Sequence, residues 1–345
     1  RGGALRGATP PLEQVLVMDA GSSGTRIHIF NLIVPHGERF HVPRVDQQVR
    51  EAQTLKLKPG LSHFATQGDL PGVQANTEQL LAFADRFVER ERRSSTPVLV
   101  KATAGLRAVD PEKAELVLAR VRDVLRASEY MSHDQWVGII PGKEEGGLAW
   151  VAANYLQGTF ALKGGADVPA ESVGIIEMGG GSTQVTFEVG EGPALEESDS
   201  FVFTTAQGRS HRLYAHSYLG YGQDYAQNHL RELPSLQAVQ EDPCYPAGYE
   251  YKRPGASVQV RGTGDAAACE RAIRDGLLVG LDAPGRYASE PRLKGRFLAT
   301  ENFFYVRNDL KLPMAGDGPS MALAAQETCA RAAPAPVQGP PPEEP

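Results

Sequence analysis

The sequence predicts an α/β protein of two similar lobes, each contributing one phosphate-binding hairpin. Two observations lead there. VLVMDAGSSGTRIHIF (Val15–Phe30) and VGIIEMGGGSTQVTFEV (Val173–Val189) both read as apolar strand, acid, small-residue turn and alternating strand. Asp19 aligns with Glu177, Gly21 with Gly179, and Ile27 and Ile29 with Val185 and Phe187. In addition, strand-like and helix-like segments alternate along the chain, the pattern of an α/β protein with largely parallel sheets.

Glycine-rich turns of this kind suit anions. Glycine permits backbone torsions that point successive N–H groups inward, and Ser and Thr hydroxyls add donors. An unpaired carboxylate at the end of a buried strand is costly, so Asp19 and Glu177 facing one anion imply a divalent cation between them. Either copy alone reads equally well as an ordinary Gly-rich hairpin; the acid in the same register of both favours phosphate. No G-K-[ST] follows either turn, which excludes a Walker P-loop, and neither turn opens a helix as a dinucleotide fingerprint does.

The 345 residues suit two domains of ordinary size, and the 41% hydrophobic and 22% charged content is that of a globular enzyme. A net charge of −7 argues against nucleic acid as partner, whereas a metal-bound polyphosphate suits an acidic protein. No apolar run has the length of a membrane helix, so no membrane anchor is expected in this chain, and its first residues lack a signal-peptide core. Of three cysteines, Cys244 and Cys269 are placed to close a loop of about 25 residues. Three free thiols are the alternative, and no spacing resembles a zinc site.

The first hairpin occupies about 14–34 and leads into a polar, Pro- and Gly-punctuated stretch to about 73. Leu80, Leu81, Ala84, Phe87 and Val88 recur at helical spacing and run into the charged, solvated segment Glu89–Arg93. Pro97–Gly105 reads as a buried strand breaking into a turn. Asp110 then caps a helix with Pro111 at its first position and Leu116, Val121, Val124 and Leu125 on one face. A strand at 137–140 ends at Pro141-Gly142, the expected lobe boundary. A helix over 144–160, the second hairpin, a β pair within 199–216 and a helix over 222–232 follow, with Cys269 on a further helix. The expected organisation is therefore 1–13 disordered, 14–141 the first lobe, 142–331 the second, and 332–345 a disordered Pro-rich tail.

Two lobes that each give a hairpin to a central cleft resemble the actin-like ATPase (RNase H-like) plan. More closely, the chain resembles the apyrases, the nucleoside triphosphate diphosphohydrolases. DAGSSGTR (19–26), KATAGLR (101–107), GKEEGGLAW (142–150) and EMGGGSTQ (177–184) stand in the family's order. HSYLGYG (216–222), DPCYP (242–246) and GTGD (262–265) match its second lobe. An isolated Glu144-Glu145 pair would read as first-turn acids of a helix; its place between the two hairpins favours a chemical role.

The resemblance implies hydrolysis of the terminal phosphate of nucleoside di- and triphosphates by in-line attack of water. By position, Glu145 would be the catalytic base, Ser182 and Gln184 would hold the attacking water, and Thr103 would orient the metal's water shell. Asp19 and Glu177 would hold Mg²⁺ or Ca²⁺ through water, since Mg²⁺ dehydrates reluctantly. Ser22, Ser23, Gly24, Thr25 and Arg26 would wrap one phosphate, and Gly179, Gly180, Gly181 and Ser182 another. Tyr305 is a candidate for stacking on the base, with a core tyrosine the alternative. The family's disulfide matches Cys244 and Cys269, which implies a secretory-pathway lumen (Golgi or ER) or the extracellular space.

The sequence departs from the family at several points. Glu177 stands where Asp is usual, and Gly24 is closer to soluble, endomembrane-type members. The fifth motif and returning helix expected after Cys329 are not seen, so that cysteine lacks its expected partner and the chain reads as a truncated or mis-joined form. The competing expectations are an exopolyphosphatase-like hydrolase and a non-catalytic nucleotide-binding protein. Trp150, HSYLGYG and the cysteine pair weigh against the first, and Glu145 against the second.

Overall fold

The computed structural model describes residues 12–33, 44–46, 53–160, 171–190, 195–205, 208–232, 240–252, 259–278, 293, 295–313, 315–316 and 318–331. The expected disorder of 1–11 and 332–345 lies outside them. Residues 12 and 13 belong to the first strand, two positions earlier than expected. Two compact units form: Arg1–Ile175 with Gly180–Leu219, and Ile176–Gly179 with Gly220–Pro345. Residues 141 and 142, the expected lobe boundary, both lie in the first unit.

The first unit opens with β1 (Leu12–Ala20) and β2 (Thr25–Ile33), paired antiparallel so that Asp19 faces Arg26 across the hairpin. Strands β3 (Arg44–Val45) and β4 (Thr54–Leu57) pair with β2. Helix α1 (Leu61–Gln67), α2 (Leu70–Ala84) and the single turn α3 (Arg90–Arg93) follow. Next come β5 (Val98–Ala102), α4 (Ala104–Arg107), α5 (Pro111–Ala127) and β6 (Val137–Ile139). β1, β5 and β6 run parallel, while β2 and its partners are antiparallel. The sheet is thus mixed, a correction to the largely parallel expectation: a two-strand hairpin must return antiparallel, and only the helix-connected strands are parallel.

One face of this sheet carries Leu16, Met18, Ile27, Ile29, Val98 and Val100, all buried, against Leu80, Val117 and Val121 of the helices. Asp110 caps α5 by accepting from the Glu112 and Lys113 amides (3.1 and 3.2 Å), with Pro111 in the first turn where its missing N–H is no loss. Leu116, expected on the buried face of α5, is 58% exposed; Val117 and Leu118 are buried instead. The polar stretch before residue 73 contains β4 and α1, which its punctuation concealed. Helix α2 ends at Ala84, so Phe87 and Val88 pack from the turn beyond it.

Helix α6 (Gly142–Leu156) leads to β7 (Gly174–Met178) and β8 (Ser182–Glu188), then β9 (Ser200–Thr204) and β10 (Ser210–Leu219). β10 lies antiparallel between β8 and β9. Trp150 of α6 is fully buried with Ile175 and Leu213, bordered by Phe160, Phe201 and Phe203.

In the second unit, the end of β7 neighbours β14 (Phe297–Glu301), once α7 (Gln223–Glu232) and a small sheet have intervened. That sheet comprises β11 (Glu241–Asp242), β12 (Glu250–Lys252) and β13 (Gln259–Gly262). Helix α8 (Ala266–Ala272) carries Cys269, bonded to Cys244 as expected, and α9 (Asn302–Asp309) and α10 (Gly318–Ala330) complete the chain. Cys329 is a free thiol. No described helix is long and apolar enough to cross a membrane.

Candidate functional site

Two glycines let α6 begin directly on the sheet. A Cβ on Gly142 would run into Ser217, and one on Gly146 would stand 2.5 Å from Thr186 Oγ1 and 3.4 Å from Gln184 Cβ. The first two turns of α6 therefore rest on β8 and β10, and Glu145 between these glycines meets the side chains that those strands present.

Five polar side chains converge there, Glu145 among them. Arg107 Nη1 pairs with Glu145 Oε2 at 2.7 Å. Gln184 Nε2 donates toward Glu145 Oε2 (3.0 Å), Ser182 Oγ (2.6 Å) and Ser217 Oγ (3.2 Å). Arg107 Nη2 donates to Ser182 Oγ and Ser217 Oγ (3.2 and 3.4 Å), and Nη1 also reaches the Ile140 carbonyl at 3.1 Å. Glu145 Oε2 is thus held twice, while Oε1 receives no bond from a described residue. Ser182 Oγ accepts from both Arg107 and Gln184, which leaves its own proton to donate elsewhere. Burial pushes the Glu145 carboxyl above its ordinary range, the Arg107 guanidinium opposes that shift, and the negative Asp19 adds to it.

The first hairpin turn lies alongside. Parallel pairing of β5 with β1 sets Thr103 next to Ala20, whose carbonyl accepts from the Thr103 amide at 3.2 Å. A Cβ on Gly181 would lie 2.8 Å from Ala104 Cβ and 3.4 Å from Ser22 Cβ, so the first turn, the start of α4 and the second turn approach one another. Gly24 leaves space for the Lys56 side chain, whose Nζ donates to Ser23 Oγ at 3.1 Å. Thr25 is 2% exposed and its Oγ1 has no hydrogen-bond partner among the described residues. Arg26 is half-buried on β2 and enters no ion pair among them.

Glu145, Ser182 and Gln184 therefore meet, with Ser22, Gly181 and Thr103 adjoining. Glu177 and Gly179 belong to the second unit, where Gly179 O accepts from the Gln223 amide at 2.9 Å. Tyr305 lies on α9 and is 54% exposed, which removes the core alternative for it. Arg107 and Ser217 stand in quoted motifs, yet no role was expected of them. Their types gave no signal, and only the fold shows what they touch.

No described group of three or more His, Cys, Asp or Glu side chains forms a metal cluster. The available donors near Glu145 are carboxylate and hydroxyl oxygens, which fit a hard cation that keeps much of its water. A cation beside Asp19 would also offset the repulsion that Asp19 exerts on Glu145.

The model of the GDA1/CD39 (nucleoside phosphatase) family matches residues 12–286. "Probable apyrase 5" of Arabidopsis thaliana is 34% identical over 326 residues, covering 86% of this chain and 63% of that protein. "Ectonucleoside triphosphate diphosphohydrolase 6" of Mus musculus is 37% identical over 209 residues, 60% of this chain and 43% of that protein. The chain thus spans less than two thirds of the length of these relatives. A crystal structure of nucleoside triphosphate hydrolases from Neospora caninum superposes with a TM-score of 0.67 at 17% identity, covering 95% of this chain and 81% of that one. At that identity the likeness concerns the fold alone.

Proposed function

Because the chain belongs to the GDA1/CD39 (nucleoside phosphatase) family, we propose that it hydrolyses the terminal phosphate of nucleoside di- and triphosphates and releases orthophosphate. One observation supports the mechanism above the others: Glu145 has one oxygen fixed by Arg107 and Gln184 and the other without a partner among the described residues. Fixing Oε2 orients the carboxylate, and Oε1 is the atom that takes the proton of an attacking water. The Ser182 hydroxyl and the Gln184 amide hold that water for in-line attack, and Arg107 keeps Ser182 turned to them. A carboxylate in hydrogen-bond reach with a raised pKa suits a general base, a contribution of about 10²–10⁴ in rate.

Ser22, Ser23, Gly24, Thr25 and Arg26 are assigned to one phosphate, and Gly179 through Ser182 to another. The Thr25 hydroxyl, which has no partner among the described residues, supports the first of these assignments. Asp19, with Glu177 from the second repeat, is assigned to Mg²⁺ or Ca²⁺ through water, and Thr103 to the water shell. When bound, the cation supplies positive charge to the phosphate oxygens. Tyr305, exposed on α9, is assigned to the nucleobase. The formed disulfide supports an oxidising compartment, the secretory lumen or outside the cell.

The test is phosphate release from GDP, UDP, ADP and ATP with Mg²⁺, Ca²⁺ or EDTA, beside Glu145→Gln. Metal-dependent release lost in that variant is the expected outcome. A folded chain that binds nucleotide without turnover would overturn the catalytic reading.

A further inference from the structure

The second hairpin turn is held from behind by a residue outside both hairpins. Asn302, at the start of α9, donates through Nδ2 to Met178 O at 2.8 Å and to Gly179 O at 3.2 Å. Both partners are carbonyl oxygens, so the amide must present its NH₂ group. The Gln223 amide gives Gly179 O its second hydrogen bond. All four residues lie in the second unit.

A trans peptide points its N–H opposite to its C=O. Drawing the Met178 and Gly179 carbonyls together onto Asn302 therefore turns the N–H groups of Gly179 and Gly180 to the other side, as a consecutive pair. Two adjacent N–H groups facing one way form an anion nest. Two neighbouring carbonyl dipoles aimed at one point also repel, so this arrangement needs a double donor where they meet. Glu301, just before Asn302, has a positive φ of 57°, a backbone conformation that a non-glycine residue adopts only at a cost.

We propose that Asn302 is a positioning residue that sets the Gly179 and Gly180 amides toward a phosphate group of the substrate. The proposal rests on the nucleotidase reading for the identity of that substrate, but the anion-binding part stands without it. Since Asn302 begins the helix that carries Tyr305, it also ties the phosphate turn to that exposed aromatic ring through one rigid element.

The experiment compares the full chain, ¹⁵N-labelled, with Asn302→Asp and Asn302→Ser. The first is nearly isosteric but sets a carboxylate against two carbonyls; the second keeps one short donor. Inorganic phosphate is titrated while the Gly179 and Gly180 amide resonances are followed. Both resonances are expected to move in the parent chain, with phosphate binding about tenfold weaker in Asn302→Asp and intermediate in Asn302→Ser. With GDP, the loss in kcat/KM is expected mainly in KM, which a general loss of folded protein would not produce. Amides that ignore phosphate in the parent, or a folded Asn302→Asp with parental phosphate affinity, would overturn the proposal. Should Asn302→Asp fail to fold, parental affinity in Asn302→Ser would overturn it equally. A parent that binds phosphate at these amides yet hydrolyses no nucleotide would sink the nucleotidase reading and leave the role of Asn302 standing.

Discussion

Arg107 acts on Glu145 in two ways, through its charge and through its fork of donors, and substitutions separate them. Burial raises the Glu145 pKa and Arg107 lowers it, so Arg107→Ala should raise it further. A base must be deprotonated to act, so the acidic limb of the pH–rate profile moves to higher pH in that variant. Arg107→Lys keeps the charge near Glu145 but loses the planar fork that also serves Ser182 and Ser217. It should leave the limb near its parental position and lower kcat by about tenfold. Full pH profiles of kcat and of kcat/KM for the three proteins check both statements. Glu145, Ser182 and Gln184 were legible because they sit at fixed places in ordered motifs. Arg107 and Ser217 lie in such motifs too, but the resemblance gave them no role, and their contacts with Ser182 and Gln184 appear only in the fold.

Helix α6 is where sequence becomes site geometry at the level of an element. Its close-approach glycines, Gly142 against β10, Gly146 against β8 and Gly147 against Phe201 of β9, are what allow it to lie on the sheet. Gly146→Ala would press a methyl against Thr186 Oγ1, which stands 2.5 Å from the ideal position and belongs to a buried residue. The variant should lose about 1–3 kcal/mol of stability by overpacking, read as a lower denaturant midpoint. Phosphate release should fall beyond what that loss explains, because Glu145 shifts with the helix. Several elements were plain in the sequence: both hairpins, α5 with its Asp110 cap, and α7. Others were hidden for physical reasons. β4 and α1 are short and flank Lys58-Pro59-Gly60, which reads as a loop. Leu116 fits the helical period but sits at the margin of the buried face, where neighbouring Val117 and Leu118 take the contact.

Considered whole, the chain passes between its two units after Ile175, after Gly179 and after Leu219. The expected division at a single point could not show this, because a division by residue number assumes that each part is continuous. The disulfide Cys244–Cys269 lies entirely within the second unit and closes a loop of 25 residues. Reduction should remove roughly 3 kcal/mol of stability from that unit on a chain-entropy account. Calorimetry with and without reductant checks this: the expected change is a lower midpoint for one transition. The tryptophans make the two units optically separable. Trp136 and Trp150 are the only two in the sequence, and both belong to the first unit. Tryptophan emission therefore reports the melting of the unit that holds Glu145 and is silent on the one that holds the disulfide. The second unit is left to the absorbance and emission of Tyr245, Tyr249 and Tyr251, whose rings lie within 4.4–6.2 Å of one another. Tryptophan emission from a heated sample thus isolates the first unit, whereas the tyrosine signal, to which Tyr130, Tyr155, Tyr214 and Tyr218 of the first unit also contribute, follows both.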